Sequence, residues 1–433
     1  MLNRGLLINS EKKCKRAYGV GVYPGDRADL IAMGLSPMEG CEDPASENFG
    51  NYVHTNGSVM VFIPAFVYRF GRASAPSFSR DGENAVEIKF APDVDIPAGT
   101  TDVNWSPGDG WVLARAFIDG GRVKSGFFID KYICSKSADG QSAVSVKRGV
   151  PLNLSTEKDS NSSTMPGCVG EPLDVFALGR ARGSAYSCTT IFQWAALSLL
   201  SLAWGQQVKS SVCCAWYDPN NQTNFPKGVT ANSPLRDVND RSITFEPATS
   251  TKEFAKAGSG VPFSKTTHNG QDSGVSDVSG NVPEVFIGVM QANKDAPFFV
   301  LKESSFAHDL LTVGMSSHFD PVVWPRYNTG PCYWGNGKTF AFSHETSGPK
   351  RAMCAVYPAS HSATSSAGSS LFGKDAVTNI TDFNIYVEAA PIRTYGISGN
   401  ASEMSGIWSR DGDGTGWNYQ YGLSAFRISA YAN

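Results

Sequence analysis

The stretch T-I-F-Q-W-A-A-L-S-L-L-S-L-A-W-G, from Thr190 to Gly205, limits the fold of this chain more than any other. Thr190 with Gln193 forms a capping box, in which each side chain satisfies the other's backbone amide. Gly205 is the expected stop. Between them Ile191 to Trp204 is apolar almost all round, and a helix without a polar face is buried. Trp194 and Trp204 are therefore core residues. Wrapping such a helix falls to strands and loops, because 44 glycines and an 11% aromatic content fit a loop-rich, strand-rich fold better than a helical one.

The strands are visible in chain order. Ser58 to Phe70 is β-branched and aromatic, which predicts a strand pair or one bent strand. Trp111–Phe117 and Gly126–Ile133 flank the turn Asp119-Gly120-Gly121 and predict a hairpin. Further strands are expected over 282–289 and 297–301. Residues 1–55 are polar apart from Tyr18 to Tyr23, itself a candidate short strand, and read as an arm or small attachment region. Residues 56–110 read as a β-rich connecting region, and 111–433 as a ligand-binding domain. Residues 136–170 and 206–265 are rich in loop-forming residues, and no internal repeat is visible.

Bulk properties exclude several function classes. A net charge of −3 and no basic stripe with interleaved aromatics argue against a nucleic-acid partner. The first residues lack the apolar core of a signal peptide, and no stretch of about 18 apolar residues predicts membrane insertion. A chain made in a cytoplasm without Sec export is expected. The nine cysteines follow no CxxC or Cys/His metal spacing, so mostly buried thiols are expected.

The last residues differ in character. Pro391 to Asn433 runs P-I-R-T-Y-G-I-S-G-N-A-S-E-M-S-G-I-W-S-R-D-G-D-G-T-G-W-N-Y-Q-Y-G-L-S-A-F-R-I-S-A-Y-A-N. Leu423 to Ile428 alternates as a half-buried strand does. Between Arg393 and Leu423 lie Gly, Asn, Ser, Asp, Tyr and Trp with few aliphatics. Tyr and Trp supply rigid contact area and Ser, Gly and Asn adaptable hydrogen bonds, the mixture of a paratope. Surface turns would explain the Gly-Asn-Asp density. They do not require Tyr395, Trp408, Trp417, Tyr419 and Tyr421, so a binding face is the better reading.

Three pieces, in order, resemble the formylglycine-generating-enzyme-like (sulfatase-modifying-factor) domain. Phe127-Phe128-Ile129-Asp130-Lys131-Tyr132 resembles its early strand. Asp277-Val278-Ser279-Gly280-Asn281-Val282-Pro283-Glu284-Val285 is similar to its D-x-x-G-N-V-W-E-W segment. Arg393 and Ala425-Phe426-Arg427-Ile428 are similar to its R-G-G-S-W … G-F-R ending, and the helix from Thr190 falls where the family has one. Pro283, Val285 and Thr394 depart from the pattern. The resemblance implies an α+β, C-type-lectin-like domain with a small twisted sheet and long irregular loops. Gly280-Asn281 and Glu284 read as fold determinants, the first pair through its tolerance of left-handed backbone and Glu284 by satisfying loop amides.

The family's enzyme holds copper with paired C-terminal cysteines. Here the last cysteine is Cys354, so no thiolate pair stands in the tail and no enzyme is expected. No serine-nucleophile, zinc-protease or phosphate-loop motif occurs, and His268 reads as a loop residue. Asp411-Gly412-Asp413-Gly414-Thr415-Gly416 opens like a calcium loop, but position twelve is Gly422 rather than a bidentate Glu; the alternative is a turn with acidic decoration. Neither a metal nor another cofactor is expected.

The resemblance also extends to phage receptor-binding proteins, including the variable proteins of diversity-generating retroelements. In these, ligand-contacting residues lie between the two framework pieces of the tail. It implies a display of Tyr395, Ser398, Asn400, Ser402, Ser409, Asp411, Asp413, Thr415, Trp417, Asn418, Tyr419 and Tyr421, with Glu403, Met404, Ile407 and Leu423 as scaffold. The implied role is a receptor-binding, tail-fibre-tip protein of a phage or prophage. Its place would be the virion, as a homotrimer beside other virion proteins, and its ligand a host cell-surface protein or glycan. A cellular lectin-like module binding carbohydrate or protein, and a degenerate formylglycine-generating oxidase, are the alternatives.

Overall fold

The run from Ser58 to Phe70 is a single bent strand shared by two sheets. Val59–Pro64 and Phe66–Phe70 are its halves. Pro64 has no N–H to continue a ladder, and the chain changes sheets at Ala65. The computed structural model in which this is seen describes residues 18–70, 72–81, 85–91, 93–97, 105, 107–120, 122–152, 178–207, 235–236, 242–248, 255–278 and 425–432. Between 278 and 425 it describes the strands 284–286, 289–291, 298–301, 319–322, 356–357, 392–394 and 407–408.

The first half belongs to a six-stranded, fully antiparallel sheet. Its order is Leu35–Pro37, Asn51–His54, Val59–Pro64, Gly126–Asp130, Ile428–Ala430, Tyr186–Cys188. The second half pairs with Val86–Phe90 and Val112–Leu113 in a three-stranded sheet. The C-terminal strand thus lies inside the larger sheet, with Ser429 opposite Ile129 on one side and Ser187 on the other.

Of the 1–55 segment expected as an arm, residues 18–55 are described. Two strands of the larger sheet come from within residues 1–55, and Tyr18, Val20 and Tyr23 are buried. Tyr23 is not in a strand, but its ring packs 5.5 Å from Phe62 and 5.6 Å from Phe128, while Tyr52 stands 5.1 Å from Phe128. Aromatic burial of this kind holds residues 18–54 to the sheet. Gly50 has φ +62°, and a Cβ there would strike the Gly21 carbonyl, so the close approach of the two segments needs glycine.

The hairpin expected from the Asp119-Gly120-Gly121 sequence is short, joining Ile118–Asp119 to Arg122–Val123. The longer flanking runs pair with Phe66–Phe70 and Val59–Pro64 instead. The 3-10 turn Arg115–Phe117 interrupts the first run and shifts its direction.

The helix spans Ile191–Gln207 and opens on the capping box: Thr190 N donates to Gln193 Oε1 at 2.9 Å and Gln193 N to Thr190 Oγ1 at 3.3 Å. Phe192, Trp194, Leu197, Leu199 and Leu200 are fully buried, against Val86–Phe90 and the Arg115–Phe117 turn among others. Gly205 does not end it. The helix runs two residues further because Gln206 is a tie, its Oε1 accepting Val86 N at 2.9 Å and Ser77 Oγ at 3.1 Å. Gly270, at φ +66°, stands against the Trp204 ring where a side chain would collide.

Two further sheets are described toward the C-terminus. Val289–Gln291, Phe298–Leu301 and Phe319–Val322 form an antiparallel meander. The other sheet has the order Val356–Tyr357, Ile392–Thr394, Ile407–Trp408, Glu284–Phe286, Ala425–Phe426. The expected strand over 282–289 is therefore two strands in two sheets.

Candidate functional site

The alternation of Leu423 to Ile428 predicts one wet face. The structure buries Ala425, Phe426, Arg427, Ile428, Ser429 and Ala430 alike, with the Arg427 guanidinium fully enclosed. A buried cation survives only when paired and saturated with acceptors. Arg427 Nε and Nη2 take the two carboxylate oxygens of Glu284 at 2.9 and 3.2 Å, the fork geometry that suits a guanidinium. Its remaining donors reach backbone carbonyls of Lys131 at 3.1 Å, Asp130 at 3.3 Å and Ser276 at 2.7 Å. Glu284 is thus tied to a guanidinium, while the neighbouring loop over 279–283, whose amides it was expected to satisfy, lies outside the described residues.

A second buried pair adjoins the first. Arg182 donates to Asp130 Oδ1 at 2.6 Å and Oδ2 at 3.1 Å. Asp130 Oδ2 also accepts the Ile428 amide at 2.9 Å and the Cys134 thiol at 3.0 Å. Asp130, Glu284 and Arg427 come from the three separate motifs of the sequence. They meet in one interior network that fixes the start of the C-terminal strand. Asp277, which opens the middle motif, adopts a left-handed φ of 52°. Its Oδ2 accepts the Gly258 amide at 2.5 Å, within the habit of Asp for this region.

This network anchors the segment expected to carry the display. Thr394 pairs with Ile407 and Arg393 with Trp408, antiparallel. Ile407–Trp408 is antiparallel to Glu284–Phe286, and Ala425–Phe426 is parallel to it on its other side. The display residues therefore fall into two intervals, each bounded at both ends by strands of one sheet. Tyr395, Ser398, Asn400 and Ser402 lie between Thr394 and Ile407. Ser409, Asp411, Asp413, Thr415, Trp417, Asn418, Tyr419 and Tyr421 lie between Trp408 and Ala425. All twelve are outside the described residues, as are the acidic Asp411–Gly416 stretch, the scaffold residues Glu403, Met404 and Leu423, and the Gly280-Asn281 pair. Ile407, the remaining scaffold residue, is in a described strand.

The titratable groups that are described are structural in their surroundings. His268 is buried, and its Nδ1 accepts the Val275 amide at 3.1 Å. Burial pushes its pKa down to about 3, so it is neutral at ordinary pH, in a loop that Thr267, Asn269 and Gln271 hold together. Cys41, Cys134 and Cys188 are buried as thiols. Burial raises Cys134 well above its ordinary value, with the Asp130 carboxylate adding to the effect. Among the described residues no group of three or more His, Cys, Asp or Glu could hold a metal ion, and no helix is long and apolar enough to cross a membrane.

Two residues of the interior went unnoticed in the sequence. Arg182 sits in a Gly- and Ser-rich stretch that reads as loop, and Lys131 sits where strand alternation gives no hint of its burial. The only signal was Lys131's own place in the Phe127–Tyr132 motif, directly after Asp130; Arg182 stands in no motif. No protein-family model matches the chain, and no curated protein matches it.

Proposed function

We propose that this chain is a receptor-binding protein of a phage or prophage, in which a C-type-lectin-like α+β domain presents the 395–421 stretch to a host cell-surface protein or glycan. The observation that carries the reading is the contrast within the tail. Residues rich in Tyr, Trp, Ser, Asn and Asp form two intervals whose ends are strands of one sheet, and the residues just beyond, Phe426 and Arg427, are fully buried. Composition suited to contact, hung from a saturated interior anchor, is what a ligand-binding loop set on a rigid scaffold requires.

In this reading the protein acts at the tip of a virion fibre, as a homotrimer among other virion proteins. Symmetric repetition of a modest site raises avidity without new contacts. The role is binding rather than catalysis, and it uses no cofactor. The test is Trp417→Ala combined with Tyr419→Ala, followed by binding to host cells and by thermal melting. Loss of binding with the melting temperature unchanged within about 4 °C, the shift of roughly 1 kcal/mol, is the expected result. Retained binding would overturn the proposal. Sequencing the flanking DNA of several isolates adds an independent check, since a near-copy of the 391–433 coding segment differing at adenines marks a diversified display.

A further inference from the structure

Lys131 is only 3% exposed, and its backbone is committed on both sides. Its N–H donates to Val59 O at 2.9 Å, and its carbonyl accepts Arg427 Nη1 at 3.1 Å and Ser276 N at 3.0 Å. The side chain leads away from this network. Its Nζ donates to the backbone carbonyl of Glu47 at 3.2 Å, in the turn-rich 38–50 segment, and makes no ion pair among the described residues.

The charged groups facing the amine come from three elements. Glu47 belongs to the 38–50 segment, Asp272 to the 267–276 loop, and Lys147 to the turn after Ser145. All three are at the exposed surface. The Phe263 ring completes the surroundings, 5.6 Å from Lys131 Nζ and 4.8 Å from Lys147 Nζ. A buried amine with one carbonyl acceptor leaves two N–H groups of its ammonium form without a described partner, so the neutral form is favoured there. Burial accordingly pushes Lys131 down to about 7; Glu47 and Asp272 oppose this and Lys147 adds to it.

We propose that Lys131 is an acid-released latch: as the neutral amine it ties the 38–50 turn to the central sheet, and once protonated it leaves the Glu47 carbonyl for the exposed carboxylates of Glu47 and Asp272, loosening the turn. This goes beyond the binding role and does not depend on what the tail recognises.

The sign follows from linkage. Between about 7 and 10.5 the unfolded chain holds the proton and the folded chain does not, so this group makes stability rise with pH across that window and level off below it. The experiment compares wild type with Lys131→Met. The folding constant of Lys131→Met relative to wild type is expected to fall about tenfold per pH unit between those limits and to be flat below about pH 7. Hydrogen exchange at the Phe49 and Gly50 amides, referenced to the same variant, is expected to lose about tenfold protection in wild type between pH 8.5 and 5.5. A pH-independent ratio in either measurement overturns the latch. If Lys131→Met does not fold, the wild-type Lys131 13Cε titration decides: a midpoint below about 8.5 supports the proposal, and one at or above it overturns the proposal.

Discussion

At the scale of single residues, Arg427 decides most. Its guanidinium meets one carboxylate and several carbonyls in a fully buried site. Removing one partner of such a pair leaves an uncompensated interior charge. Arg427→Met is therefore expected to cost about 3–5 kcal/mol, measured by urea unfolding. Arg427→Met combined with Glu284→Met removes both charges, and much of the loss is expected to return, since apolar replacement of a whole buried pair is often neutral or stabilising. A double variant no better than the single one would mean that the backbone carbonyls, not the carboxylate, set the cost. His268 provides a pH-dependent counterpart. Its folded pKa of about 3 lies below its ordinary 6.5, so the unfolded chain takes up the proton first as pH falls. Stability contributed by the neutral ring is complete above about 6.5 and is lost toward 3, at roughly 1.4 kcal/mol per pH unit. His268→Gln, compared with wild type across that range, is expected to remove this slope.

Elements differ in how openly the sequence declares them. The helix was legible because its signals are local: a Thr-x-x-Gln start and a stretch apolar on almost every side. Its end was not, since the tie that extends it past Gly205 reaches from Gln206 to Val86 and Ser77, far away in sequence. The bent strand at Val59–Phe70 was equally plain from composition. Its partners were not, because pairing with 51–54, 126–130 and, through them, 428–430 is a long-range matter that alternation does not encode. Arg427 misled for a related reason: a charged residue in an alternating run reads as solvent-facing until a carboxylate from another motif is placed beside it. For the candidate site, Ile392-Arg393 and Leu423 to Ile428 were legible as framework pieces. The single strand read over the second is two strands, 425–426 and 428–430, in different sheets. The twelve display residues stay an expectation from composition and resemblance. The capping box can be tested at this scale. Thr190→Ala loses one cap, at about 1 kcal/mol. Gln193→Ala loses the reciprocal bond and also the contact from Ser429 Oγ at 2.7 Å, so it is expected to cost more, about 2–3 kcal/mol. Equal losses in thermal unfolding would detach the helix start from the C-terminal strand.

For the whole molecule, the C-terminal strand closes the fold. Ile428–Ala430 lies between Gly126–Asp130 and Tyr186–Cys188, its amide is held by Asp130, and Phe426 and Ile428 are fully buried. Residues 18–54, from the other end, complete the same sheet. A display over 395–421, as proposed, would precede such a strand, with an architectural consequence: the chain cannot lose its last residues without opening the central sheet, while the ends of the two intervals lie in the other, five-stranded sheet. Deleting 425–433 removes an interior strand and the Arg427 guanidinium together, leaving Glu284 buried without its cation. Because an interior strand exposes both neighbours when lost, this deletion is expected to abolish cooperative unfolding rather than to trim stability. Replacing 409–421 with a Gly-Ser linker of equal length keeps every described anchor. That variant is expected to unfold cooperatively, within about 2 kcal/mol of wild type, since long surface loops are tolerated thermodynamically. Calorimetry distinguishes the two. A linker variant as disordered as the deletion would make the display part of the core, and the receptor-binding reading would lose its scaffold.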